Sequence, residues 1–229
     1  MTTAIMQPYL FPYIGYWQLI NSVDTFVIYD DVNFIKKGYI NRNNILINNQ
    51  KYQFTLELQG ASQNKLIKDI QVGSNGLKIL KTIERGYKKA PYFYDVFPII
   101  KDILEQDEKN IAKFIGYSIE QISQYLQINT KFIYSSDIQK DTNLKGKEKI
   151  IAICKALNAS HYINAVGGLE LYDKNSFEEE NIRLDFLKSD SLEYKQFNQN
   201  FIPYLSILDI MMFNSVSEIK LNLQDYQLI

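Results

Sequence analysis

The chain predicts an α/β fold: a mostly parallel, Rossmann-like sheet flanked by helices, with an antiparallel hairpin inserted near residues 45–58. Three observations carry this expectation. The first thirty residues read strand, loop, helix, strand, a βαβ unit that requires a parallel pair and a right-handed crossover. Asp24 is the only charged side chain among the first 29 residues, which places that unit at the buried centre. Further along, apolar runs of strand length alternate with stretches of helical period, as in α/β sheets. No repeat or Pro/Gly-rich linker divides the chain, so residues 1–229 are expected to form one domain with a helical subregion over 77–127.

The elements follow from local pattern. Thr3 to Met6 is a short buried strand interrupted by Gln7-Pro8, and Pro12 and Gly15 mark a loop before a short helix over Tyr16 to Ser22. The β-branched and aromatic run Thr25 to Tyr29 is a strand that ends at Asp30-Asp31. Ile45-Leu46-Ile47 and Tyr52 to Leu56, separated by Asn48-Asn49-Gln50-Lys51, predict the hairpin. Leu77, Leu80, Ile83 and Tyr87 recur at helical spacing over 77–88, and Pro91 and Pro98 break the next stretch. Ile111, Ile115, Ile122 and Tyr125 form one stripe of a helix over 110–126. The remaining expectations are strands at 131–134, 161–164 and 183–187, and helices at 146–157 and 201–213.

Composition excludes several classes of chemistry. Twenty-five basic residues stand against twenty-six acidic ones, a net charge of −1, which disfavours a general nucleic-acid binder. One cysteine excludes an internal disulfide and a cysteine-built zinc site, and one histidine excludes His-pair metal motifs, so no metal site is expected. The most apolar stretch, Tyr9 to Ile20, is too short for a span of roughly 20 residues and carries no signal-peptide features. The expected compartment is the cytoplasm, with no membrane insertion. The 32 Ile against 8 Ala, and 22 Lys against 3 Arg, reflect a bias toward A/T-rich codons. That bias discounts the 17 tyrosines as evidence of a sugar or base platform and raises the weight of Arg42.

The candidate site residues lie mainly between Gln7 and Asn43. The loop after the first strand of an open α/β sheet borders the ligand crevice, which selects Gln7, Tyr9, Tyr13, Gly15, Tyr16 and Trp17. Nucleotidyltransferases of the HxGH kind keep their phosphate-handling motif there. Here Tyr13-Ile14-Gly15-Tyr16 replaces both imidazoles with phenols that stay neutral, so adenylyl transfer is not supported. The alternative is an aromatic cap over the sheet edge.

Asp30-Asp31 ends a buried strand where such enzymes place catalytic groups, and alternation turns only one of the two toward the crevice. That carboxylate serves as a general base or sugar ligand, or else as a turn acid. Lys37, Asn41, Arg42 and Asn43 combine cations with directional donors, a set that suits a diphosphate, or form a solvated loop. Asn164, Gly167 and Gly168 end a strand in a loop open to close backbone approach. Lys145 to Lys149 reads as a solvated charged face in preference to a second anion contact, and Cys154 as an inert core residue.

The segments Gln7-Pro8…Pro12-Tyr13-Ile14-Gly15-Tyr16, Asp30-Asp31-Val32, Asn41-Arg42-Asn43, Lys149 to Leu157 and Tyr162-Ile163-Asn164…Gly167-Gly168 together resemble the WbqC-like proteins over essentially the whole chain. Met6 and Asn33 stand where many relatives carry His and Gln, which removes an imidazole from the loop. The resemblance implies a place in O-antigen or related surface-glycan synthesis, beside enzymes that make nucleotide-linked amino sugars. The expected activity is transfer of an acyl or aminoacyl group from a thioester or adenylate to the amine of such a sugar, without a bound cofactor. The alternatives are a non-catalytic nucleotide or nucleotide-sugar binding protein and a HxGH-related nucleotidyltransferase.

Overall fold

The computed structural model describes residues 1–198 and 200–229. Its centre is a six-stranded sheet built from β1 (Thr2–Met6), β2 (Thr25–Ile28), β7 (Lys131–Tyr134), β8 (His161–Ala165), β9 (Arg183–Ser189) and β10 (Tyr226–Leu228). The order across the sheet is β10-β9-β8-β1-β2-β7, and only β10, at the edge, runs antiparallel. The chain therefore grows outward from β1 on one side through β2 and β7, then returns to the other side through β8 and β9. That is the doubly wound Rossmann order, and the direction reverses between β1 and β8. The α/β expectation and the opening βαβ unit hold, with β1 and β2 paired in parallel and joined by α1 (Ile14–Asn21).

Strand alternation splits the core into two. Ala4, Phe26, Ile28, Ile163 and Leu187 point to one face, where they meet α1, the helices α2 (Gly76–Tyr87), α3 (Phe93–Glu105) and α4 (Ile111–Leu126), and the C-terminal α7 (Ile207–Phe213) and α8 (Val216–Asn222). Ile5, Val27, Tyr162, Leu184 and Phe186 point to the other, against α5 (Gly146–Ala156) and α6 (Lys174–Glu178). The helical residues of 76–126 belong to the same continuous apolar core as the sheet.

Several local expectations change. The hairpin strands are β3 (Arg42–Ile47) and β4 (Gln50–Thr55), followed by a two-stranded ribbon of β5 (Leu58–Gln59) and β6 (Gln71–Val72). Asn48 and Asn49 take φ of 50° and 58°, so the connection is a two-residue turn of the kind Asn tolerates, shorter than the four residues expected. Arg42 and Asn43 therefore lie in a strand. Pro98 does not break its helix. It sits on the exposed side of α3, opposite a carbonyl in the first turn, while Phe93, Val96, Ile100 and Ile103 bury the other face. The helix expected over 201–213 begins only at Ile207, because Pro203 and a left-handed Tyr204 precede its cap Ser206. Beyond the last expected elements, Ser215 and Glu218 form a capping box that starts α8, and β10 closes the sheet.

Candidate functional site

The reversal between β1 and β8 opens a cavity of about 340 Å³ at the carboxyl ends of the strands, on the face covered by α5. Gln7, Tyr9, Asn164, Gly167 and Gly168 line it, so five of the residues selected from sequence come together here. Its aromatic wall adds Tyr29, Tyr162 and Tyr172. The Asn164 Oδ1 accepts a hydrogen bond from the backbone N–H of Ala165 at 2.9 Å, while its Nδ2 lies over Gly168 with no protein partner among the described residues. A Cβ at Gly168 would collide with that amide and approach Asn164 Cγ to 3.0 Å, so glycine is required for it to lie there. A Cβ at the neighbouring Gly167 would meet nothing within 4 Å, which leaves its backbone open to a ligand.

The aspartates separate as strand alternation requires. Asp30, on the face of α4, accepts from the backbone N–H and the hydroxyl of Ser136, at 2.9 and 2.7 Å. Burial pushes its carboxyl above the ordinary value, against those two bonds. Asp31, on the crevice face, is held by Lys140 Nζ at 2.9 Å, Lys149 Nζ at 3.1 Å and the Ser135 hydroxyl at 2.7 Å. Burial alone would raise the Asp31 carboxyl; the hydrogen bonds from Ser135, Lys140 and Lys149 outweigh it and hold the group below its ordinary value. Neither carboxylate lines the cavity. Asp31 reaches its wall through Lys149, whose Nζ is 5.3 Å from the centre of the Tyr29 ring. Lys149 is buried, unlike the solvated face expected of it, because the first turn of α5 points this side chain back at the end of β2.

The other selected residues act on the chain itself. Tyr16 donates to the Gln7 carbonyl at 2.9 Å, and Trp17, fully buried, donates from Nε1 to the Pro12 carbonyl at 3.1 Å. Asn43 donates to the carbonyls of Leu10 and Phe11 and accepts from Asn44 N–H, so it fastens the β1–α1 loop to the hairpin. Asn41 Nδ2 donates to Leu56 O at 2.7 Å. The Arg42 guanidinium donates to the carbonyls of Gly38, at 2.9 Å, and Lys37, closing its own loop. Lys37 itself is exposed. Tyr13 is exposed, its ring lying against Gly15.

Two further cavities follow, the first adjoining the crevice and the second adjoining the first. The first, of about 270 Å³, shares Tyr9 with the crevice and is walled by Tyr13, Tyr39 and Tyr204. The second, of about 470 Å³, shares Tyr13 and Tyr204 with the first and carries Asp190 and Glu193 at the end of β9. Tyr29, Tyr39, Tyr172 and Tyr204 were not selected from sequence, where nothing distinguished them from the other tyrosines. Cys154 is buried against the far core, and burial pushes its thiol up to about 12. Among the described residues no group of three or more His, Cys, Asp or Glu side chains is placed to hold a metal ion, and no helix is long and apolar enough to cross a membrane.

A protein of Mycobacterium tuberculosis named "Uncharacterized protein Rv1507c" is 29% identical over 221 residues, 94% of each chain. No solved structure matches the chain. The model of the WbqC-like protein family matches residues 7–221, from the loop that follows β1 almost to the end of α8, and so takes in the crevice lining except Ile5 and Met6, together with the Asp31–Lys149 cluster. The chain belongs to the WbqC-like protein family.

Proposed function

We propose that the protein is a cytoplasmic enzyme of surface-polysaccharide synthesis that binds a nucleotide-linked amino sugar and transfers an acyl or aminoacyl group to the sugar amine. The observation that carries the reading is the crevice where β1 and β8 diverge. It sits at the topological switch point, the usual ligand position in open α/β sheets, and offers an amide donor at Asn164 without a partner among the described residues, an open backbone at Gly167 and the partly exposed rings of Tyr9, Tyr29 and Tyr172. Diphosphate and sugar hydroxyls take such donors, while the rings take the apolar face of the sugar. In the transfer, the amine nitrogen attacks the carbonyl of a thioester or acyl adenylate, a C–N bond forms, the C–S or C–O bond breaks with its electron pair leaving on the thiolate or adenylate, and the proton lost from nitrogen passes to the departing group or to water. Asp31 is a positioning residue in this scheme: ionised between two lysines, it keeps the Lys149 ammonium against the crevice wall, where its positive charge favours the diphosphate.

A second reading, nucleotide-sugar binding without catalysis, draws on one specific observation. Both oxygens of Asp30 and both oxygens of Asp31 already accept hydrogen bonds or ion pairs from the protein, so the carboxylates expected to take the amine proton are committed elsewhere. Calorimetric titration with uridine- and deoxythymidine-diphosphate amino sugars, followed by mass spectrometry after addition of acyl thioesters, separates the readings. Binding with a mass gain of one acyl group supports the enzyme; binding without product supports the second reading; no binding at millimolar concentration removes both.

A further inference from the structure

The 270 Å³ cavity beside the crevice is a box of tyrosines. Four of its six lining residues, Tyr9, Tyr13, Tyr39 and Tyr204, are tyrosine, in a chain where 17 of 229 residues are. A codon bias raises the number of tyrosines but does not gather four of them from residues 9, 13, 39 and 204 around one space. Three are large aromatic side chains left to solvent, Tyr13 at 42%, Tyr39 at 52% and Tyr204 at 78% exposure, so burying them in a core does not explain their position. Tyr204 also holds φ at +58°, a left-handed backbone that is unfavourable for a bulky residue and that packing of its ring does not repay. Tyr9 and Tyr39 stand 6.3 Å apart between ring centres at 55°, a splayed pair.

The chemistry of the walls selects the occupant. The sixth lining residue, Asn43, has its amide engaged by Leu10, Phe11 and Asn44, so apart from the phenol hydroxyls the box offers ring faces. A sugar ring placed there would leave most of its hydroxyls without partners. A planar base needs faces above all, and its π-surface stacks on tyrosine whatever its edge pattern. The box lies one residue, Tyr9, from the crevice that holds the amide donor and the open glycine backbone. We propose that this box is the nucleobase subsite: the base of the nucleotide sugar stacks among Tyr9, Tyr13, Tyr39 and Tyr204, and the diphosphate leads past Tyr9 to the sugar in the crevice. The assignment rests on the nucleotide-sugar reading above.

The test measures affinities of the full-length protein for a nucleotide sugar, for free uridine, deoxythymidine and adenosine, and for a base-free sugar 1-phosphate. Tyr39→Leu and Tyr204→Leu remove exposed rings without opening the core; Tyr39→Phe and Tyr204→Phe keep the rings. Each leucine substitution is expected to weaken nucleoside and nucleotide-sugar binding about 10-fold, while the phenylalanine variants stay within about threefold and sugar 1-phosphate binding is unchanged. Nucleotide-sugar binding that ignores both leucine variants overturns the subsite and leaves the nucleotide-sugar reading standing. Equal loss for the base-free sugar 1-phosphate overturns it as well, because the box would then hold the sugar. No binding of any nucleoside or nucleotide sugar to the unaltered protein overturns it together with the reading on which it rests.

Discussion

Lys149 Nζ lies 3.1 Å from the Asp31 Oδ1 and 2.6 Å from the Asp31 backbone oxygen, which ties the start of α5 to the end of β2 beside the crevice. Both side chains are largely shielded from water, so the pair is held in a low-dielectric setting where removing one partner strands the other. Lys149→Met should lower the unfolding free energy by about 3 kcal/mol, the low end of the range for a broken buried pair, because Lys140 still faces the carboxylate at 2.9 Å. Urea unfolding measures it; a loss under about 1 kcal/mol would show that the pair behaves as a surface contact.

Two carboxylates should give opposite pH dependences. Asp31 is held below its ordinary value of 3.8, so its contribution to stability is complete above that value and is lost as the pH falls through the depressed folded pKa. Asp209 is fully buried and accepts hydrogen bonds from Tyr87, Tyr194 and Gln196 with no cation beside it among the described residues. Burial pushes its carboxyl up despite those bonds, so the folded state binds the proton more tightly and stability falls as the pH rises from 3.8 through the raised value. Asp31→Asn should flatten the acid limb of a stability profile, and Asp209→Asn should flatten the decline above it. Urea midpoints taken at half-unit steps give the comparison, and unchanged slopes in both variants would contradict it.

Gly15 is a glycine because of Tyr13. A Cβ at Gly15 would stand 2.6 Å from Tyr13 Cε2 and 2.7 Å from its hydroxyl, so any side chain displaces the ring. Glycine-to-alanine in a helix ordinarily gains about 0.5–1 kcal/mol. Gly15→Ala should show no such gain and should weaken nucleotide-sugar binding about fivefold, since the displaced ring walls the tyrosine box. A stabilised variant with unchanged affinity would mean that the ring moves without consequence.

Gly168→Ala forces the Asn164 amide out of its present position. Loss of that donor should weaken a nucleotide sugar about 10-fold, the equivalent of one hydrogen bond, with little change in the urea midpoint. Loss of fold instead of affinity would assign Gly168 a packing role alone.

The parallel centre was legible because burial on both faces leaves β1 and β2 almost without charge, and α4 because its apolar stripe spans four turns and its start carries Asn110, which accepts from the Lys113 N–H at 3.1 Å. Helix and turn boundaries were less legible where backbone geometry decides them: the left-handed Asn48 and Asn49 shorten the hairpin turn, and Tyr204 delays α7. In the site, Gln7, Asn164, Gly167 and Gly168 could be found because the ends of adjacent parallel strands converge whatever the loops do. The roles of Arg42 and Asn43 could not, because a cation or amide in sequence does not reveal whether its donors are already engaged by nearby carbonyls. Tyr39 and Tyr204 are brought to Tyr9 only by the hairpin and by the segment before α7, contacts of long sequence separation that no local pattern records.

The central claim is that the β1/β8 crevice binds a nucleotide-linked sugar, and calorimetric titration of the unaltered protein and of Asn164→Ala with uridine- and deoxythymidine-diphosphate amino sugars tests it most directly. The account predicts saturable binding of at least one of them, weakened about 10-fold by the substitution. Absence of binding at millimolar concentration, or binding with the same affinity in both proteins, would contradict it.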